Sequence, residues 1–229
     1  MGHVRDSWAE WWCALTVLFI ILLAPVFFVE VPPLLDYPNH LARAYLLSVG
    51  YHDPYLAQMY FPNWHIIPNL AIDLLLPPLI TIIPVYIAGK VVISLALLLP
   101  VIGAIMFSRA LFGSRTYWSM ASCTVSANGL FLLGFLNFQL SIGIAFISAA
   151  TWITWRDFYP FRTMLFGSIC GVLLFFSHLL GLVFYIILVA SYELQIAWSN
   201  RRNGLAALAP NLVIRTLCLA GVVVPSGVL

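Results

Sequence analysis

Apolar residues in this chain come in long blocks, not in the alternating or one-in-three patterns of a half-buried strand or surface helix. The blocks are Trp11–Val29, Asn69–Ala88, Val91–Phe107, Tyr117–Phe135, Leu140–Trp155, Thr163–Trp198 and Leu212–Leu229. Crossing the hydrocarbon of a bilayer takes about 20 apolar residues per helix. The pattern therefore predicts a bundle of membrane helices. Thr163–Trp198, about 36 residues long, predicts two short spans with Ser177-His178 and Gly181 at the turn. The first block is longer than a signal-peptide core and lacks a small-x-small cleavage site, so it reads as a retained span. Trp8, Trp11 and Trp12 ahead of it form an expected interfacial belt.

One stretch breaks the pattern. Glu30–Pro68 holds three of the five histidines and three of the eight acids. Pro38 suits the first turn of a helix, where its missing N–H would be unpaired anyway. From there to Val49, Leu41, Ala44, Tyr45 and Leu47-to-Val49 alternate with polar residues at helical spacing. That predicts an amphipathic helix lying on the membrane plane. "GYHDPY" ends it, and "YFPNWHIIPNLAIDLL" leads back to the bilayer with Asn69 placed to cap. The expected architecture is all-α: one transmembrane domain over 1–229, the N-terminal part of a longer chain, with 30–68 as a loop carrying an interfacial amphipathic helix.

Composition agrees. The chain is 63% hydrophobic and 8% charged, with mean hydropathy +1.02, where a soluble domain is about a quarter charged. Lipid must be its solvent. A net charge of +2 without a basic patch excludes a nucleic-acid partner. Cys13, Cys123, Cys170 and Cys218 all lie in apolar runs without CxxC spacing and read as packing residues. There is no P-loop, HExxH, GxSxG or dinucleotide fingerprint.

Charge leaves the orientation open. Arg109 with Arg115, Arg156 with Arg162, and Arg201 with Arg202 fall on one face, which the positive-inside rule makes cytoplasmic. If Asn69–Ala88 crosses fully, the 30–68 loop is cytoplasmic too. If it only dips in and returns, as Pro77, Pro78 and Pro84 allow, the loop is external.

Several polar residues in or beside the apolar blocks could carry chemistry. Asp36 stands at the mouth of the first span, with His40 four residues on and on the same helical face. A carboxylate beside an imidazole can accept a proton or bind a divalent metal; the bland alternative is that Asp36 only caps the Pro38 helix. Arg43, one turn further, is placed either to contact a phosphate or to anchor in lipid headgroups. Asp73, four residues into an apolar run with Asn69 one turn before it, should face a partner or a wet cavity. His178 is either a turn residue or a group reaching into a shared cavity. Asn137 and Gln139 read as a polar hairpin turn, with glycines 129, 134 and 143 allowing close helix approach.

The run "LDYPNHLARAYLL…PNLAIDLL…GFLNFQLSIG", with a long first span, a loop opening on an acid and a Pro-rich return, resembles a poorly characterised bacterial branch of the GT-C glycosyltransferases. These are multi-spanning enzymes of the bacterial inner membrane that use polyprenyl-phosphate sugars. The resemblance covers about 11–198. It implies a lipid-linked sugar donor, an extracytoplasmic acceptor and Asp36 as base or as ligand of a divalent metal, with His40 beside it. Arg43, Asn69, Asp73 and His178 would then bind substrate. Many members carry paired acids in the first loop; here Tyr37 stands beside Asp36. A proton-coupled transporter or flippase, using Asp73, His178 and a broken Asn69–Ala88 helix, and a non-catalytic membrane fragment are the alternatives.

Overall fold

In the computed structural model, residues 8–200 are described, and they are helical without a strand. The block at 212–229, Cys218 and the Arg201-Arg202 pair lie outside the described residues. Helix α1 (Trp8–Phe28) is followed by α2 (Tyr37–Ser48), a single turn α3 (Leu56–Met59), α4 (Ala71–Ile80) and α5 (Val85–Phe112). After short α6 (Ser122–Ser126) and α7 (Gly129–Leu132) come α8 (Leu136–Trp155), α9 (Pro160–Ser177) and α10 (Leu179–Asn200). Five of these, α1, α5, α8, α9 and α10, are long and apolar enough to cross a membrane.

The central packing is α5 on α8. Gly143 of α8 lies so close to α5 that a Cβ there would stand 2.8 Å from the Pro100 nitrogen, and one on Gly103 would stand 2.8 Å from the Gly143 carbonyl. Small residues let helix backbones approach where lipid offers no hydrophobic drive for association. Trp152 and Glu193 tie α8 to α10: the indole Nε1 donates to Glu193 Oε1 at 2.9 Å, and Arg156 Nε lies 2.9 Å from the same oxygen. Buried Glu193 went unremarked in the sequence, though an acid inside an apolar run is the signal that singled out Asp73.

Two of the sequence blocks fold differently from a simple span. Asn69–Ala88 is not a crossing. It divides into α4, a turn at Thr81–Pro84 and the first turn of α5. At 10 residues α4 extends only about 15 Å. Tyr117–Phe135 does run from one end of the bundle to the other, but as a 3-10 turn (Tyr117–Ala121) followed by α6 and α7. Its Ser119, Ser122, Thr124 and Asn128 bond nearby backbone and so compete with a continuous helix. The freed groups find partners: Gln139 Nε2 donates to Ser126 O at 2.6 Å, and Ser126 Oγ to Leu97 O at 2.5 Å. Backbone without helical pairing survives at membrane depth only when protein satisfies it in this way.

The two ends of the bundle are thereby fixed. At one end the Arg115 guanidinium lies 3.7 Å from the Trp8 ring, so the start of α1 and the end of α5 are together. Arg109, Arg115, Arg156 and Arg162 all sit at this end by the course of α5, α8 and α9. At the other end Leu35 N–H donates to Leu132 O and Leu70 N–H to Phe176 O, joining the 30–68 loop to α7 and to the end of α9. Among the described cations only Arg43 and Lys90 lie here. The positive-inside rule then makes the loop external. Trp8 and Trp12 are exposed as an interfacial belt requires, but Trp11 is not part of it: it is buried with Leu15 and Met120. In a background lacking the native thiols, a cysteine replacing Gln58 should label with an impermeant maleimide on intact cells, and one replacing Ser114 only after lysis. The reverse pattern would invert the assignment.

Candidate functional site

The site is built at the loop end. Tyr37, 1% exposed, anchors α2 with its ring against α5, and its hydroxyl takes the space left by Gly89. Burial pushes its phenol up to about 12, so it stays neutral. Tyr37 thus faces the core. An acid at this position would be buried under α2, and the face that Asp36 shares with a second polar group is continued by His40 instead.

Asp36 is pinned by its backbone, its N–H donating to Leu133 O. That contact with the end of α7 runs past Gly134, which has φ +85° and on which a Cβ would stand 2.8 Å from the Asp36 nitrogen. Although Asp36 occupies the cap position of α2, its side chain makes no capping bond. It lies 3.3 Å from His40 Nε2 through Oδ2, while Oδ1 accepts from Asn39 Nδ2 at 2.8 Å. The carboxylate is committed to the imidazole, not to the helix end.

Asn69 does not cap α4; Leu70 holds that position. Asn69 adopts a left-handed backbone, φ 68°, where Asn is tolerated better than most residues. What holds this bend is Asn137, which lies in the first turn of α8, not in a hairpin turn. Its Oδ1 accepts from Ile72 N–H at 2.9 Å and its Nδ2 donates to Asn69 O at 2.8 Å, while Ser177 Oγ donates to the Asn137 carbonyl at 3.1 Å. One buried amide therefore joins the start of α4 to α8 and α9. Gln139, 2% exposed, is likewise inside α8. The sequence signal missed was that both amides precede Gly143 by less than two turns and so belong to the same helix.

Asp73, at 4% exposure, is paired with Arg43 of α2. Burial raises its carboxyl above the ordinary value, opposed by the charges of Arg43 and His40. His178 ends α9 in extended backbone, and its Nδ1 accepts from Leu180 N–H at 3.2 Å. Burial lowers its pKa, so the ring is neutral with its proton on Nε2. Its ring stands edge-on to Phe138 at 5.4 Å. It is a turn residue and a cavity residue at once.

Asp36, His40, Arg43, Asn69 and His178 line one cavity of about 260 Å³, floored by Phe135–Phe138. Asp73 stands outside its wall, behind Arg43. On its far side the Arg43–Asp73 pair borders a second cavity of about 280 Å³, mostly apolar, walled by Leu46, Leu47, Tyr60, Trp64 and Ile67 among others. A dyad of acid and imidazole, a guanidinium and a neutral imidazole donor are thus collected on an external, membrane-edge cleft. They can exchange a proton and hold an anion. Among the described residues no group of three or more His, Cys, Asp or Glu converges to hold a metal ion. Asp36 and His40 offer two donors, fewer than an all-protein cage for a divalent cation supplies. The Asn69–Ala88 segment is broken, as expected, at the turn between α4 and α5.

Replacing Asn137 by Ala leaves a buried N–H and C=O unpaired and should destabilise the fold by about 2–4 kcal/mol, read by thermal unfolding in detergent; an unchanged midpoint would contradict the clamp. Replacing Arg43 by Gln removes the main force lowering Asp73. A buried acid with a raised pKa is destabilising once the unfolded chain ionises, so the deficit of this variant should be absent in acid. It should grow as pH rises from the already raised value of the unmodified chain to the still higher one of the variant, then level off. A pH-independent deficit would mean that the pair carries no charge coupling.

Compared with protein-family models, with curated proteins and with solved structures, the chain matches none.

Proposed function

We propose that this chain is a membrane glycosyltransferase of GT-C type, transferring a sugar from a lipid-phosphate donor to an acceptor on the external side of the bilayer. The observation that carries the proposal is the Asp36–His40 contact of 3.3 Å inside a cleft at the membrane edge. Asp36 accepts the proton of the acceptor hydroxyl as that oxygen attacks the anomeric carbon. The bond from that carbon to the phosphate oxygen breaks, and the lipid phosphate leaves as an anion. His40 orients the carboxylate through its Nε2 contact with Oδ2. Arg43, half-exposed on its cleft side while held by Asp73, and the Nε2–H of His178 meet the phosphate oxygens.

The geometry of the loop end supports this reading in a second way. The cleft lies beside an apolar cavity, and the two share Arg43. A donor with a charged head and a hydrocarbon tail suits that juxtaposition: a chamber carrying Asp36, His40, Arg43 and His178 for the reacting end, bordered by a more apolar one.

Sugar transfer measured with the purified chain in liposomes, using a polyprenyl-phosphate-linked radiolabelled sugar, tests the reading. Asp36→Asn should reduce transfer by about 10²–10⁴-fold, with membrane insertion and unfolding midpoint unchanged. Transfer at the unmodified rate by that variant would remove Asp36 from the chemistry.

A further inference from the structure

A third cavity lies at the opposite end of the bundle and takes no part in the proposed reaction. It is about 270 Å³ in volume, between the first turn of α1 and the end of α5, and is lined by Trp8, Trp11, Arg109, Gly113, Ser114 and Arg115. We propose that it binds the phosphate headgroup of an anionic phospholipid in the cytoplasmic leaflet.

Two observations converge on an anion. Arg115 is held in place by aromatic faces, 3.7 Å from the Trp8 ring centre and 5.4 Å from those of Trp11 and Trp12. Among the described residues neither Arg115 nor Arg109 pairs with a carboxylate, and Glu10, in the same turn of α1, does not line the cavity. Phosphate oxygens in the cavity would accept from the two guanidinium forks. The helix dipole accounts for Arg109, in the last turn of α5. It does not account for Arg115, which lies beyond the helix end.

Location selects the lipid over a free ion. The cavity is floored by tryptophan at the depth where indoles sit between headgroup and acyl chain, and Trp8 is 69% exposed toward that zone. It is also at the arginine-rich end, facing the leaflet where anionic lipid attracts basic segments. A zwitterionic headgroup offers the same phosphate but brings an ammonium toward two arginines.

The test is native mass spectrometry of the full chain in mild detergent, titrated with dioleoyl-phosphatidylglycerol or dioleoyl-phosphatidylcholine. The chain should retain phosphatidylglycerol at least about tenfold better than phosphatidylcholine. The Arg109→Gln, Arg115→Gln variant should bring the two to the same level. Arg162→Gln, which removes a charge from the same end but outside the cavity, should leave the preference intact. Equal retention of both lipids by the unmodified chain, an equal loss with Arg162→Gln, or displacement of phosphatidylglycerol by equimolar inorganic phosphate would each overturn the proposal. If the double variant fails to fold, the preference of the unmodified chain and the phosphate competition decide it.

Discussion

Backbone polar groups near lipid must find partners inside the protein, and the external end of this bundle is organised around one residue that supplies them. The chain bends at Asn69 in a left-handed conformation, leaving a carbonyl and, two peptides on, an N–H that no helix pairs. The Asn137 side chain satisfies both. Because Asn137 is carried by α8 and its own carbonyl is bonded by Ser177 of α9, the bend that launches α4 is fastened to the two helices that border the cleft. Asp73 is thereby held under Arg43, and Arg43 is fixed between two cavities. Together with Leu70 N–H, which donates to Phe176 O, that amide fixes the start of α4 beside the cleft.

Much of this was legible in the sequence because burial in lipid writes itself in long apolar blocks. The spans at α1, α8, α9 and α10, the break at His178 and the helix beginning at Tyr37–Pro38 all follow from block length and proline placement. Hydropathy fails where polarity is satisfied locally. Tyr117–Phe135 is apolar enough to read as a helix, yet Ser119, Ser122, Thr124 and Asn128 bond backbone three residues away, and Ser126 is tied to Leu97 of α5 and Gln139 of α8. Asn137 was missed for the same reason: its partners are 65 and 68 residues away. A single sequence does not state such distances.

The polar residues singled out in the sequence gather because of two different constraints. Asp36 and His40 meet through local helix geometry, four residues apart on one face. Arg43 meets Asp73 across 30 residues, through the packing of α2 on α4. Tyr37 explains why a second acid is not beside the first: that position points inward against Gly89. The neighbour that completes the dyad is therefore an imidazole one turn along, which changes the chemistry from a pair of acids to an acid assisted by a base.

The proposed chemistry requires that Asp36 and His40 act as one unit, and a double-mutant cycle on sugar transfer measures this directly. Residues that work together show grossly non-additive losses. With Asp36→Asn, His40→Gln and the double variant compared at matched folding, the double variant should be no slower than the slower single variant, within about a factor of three. Losses that multiply would show two independent groups, and the dyad at the centre of the account would be wrong.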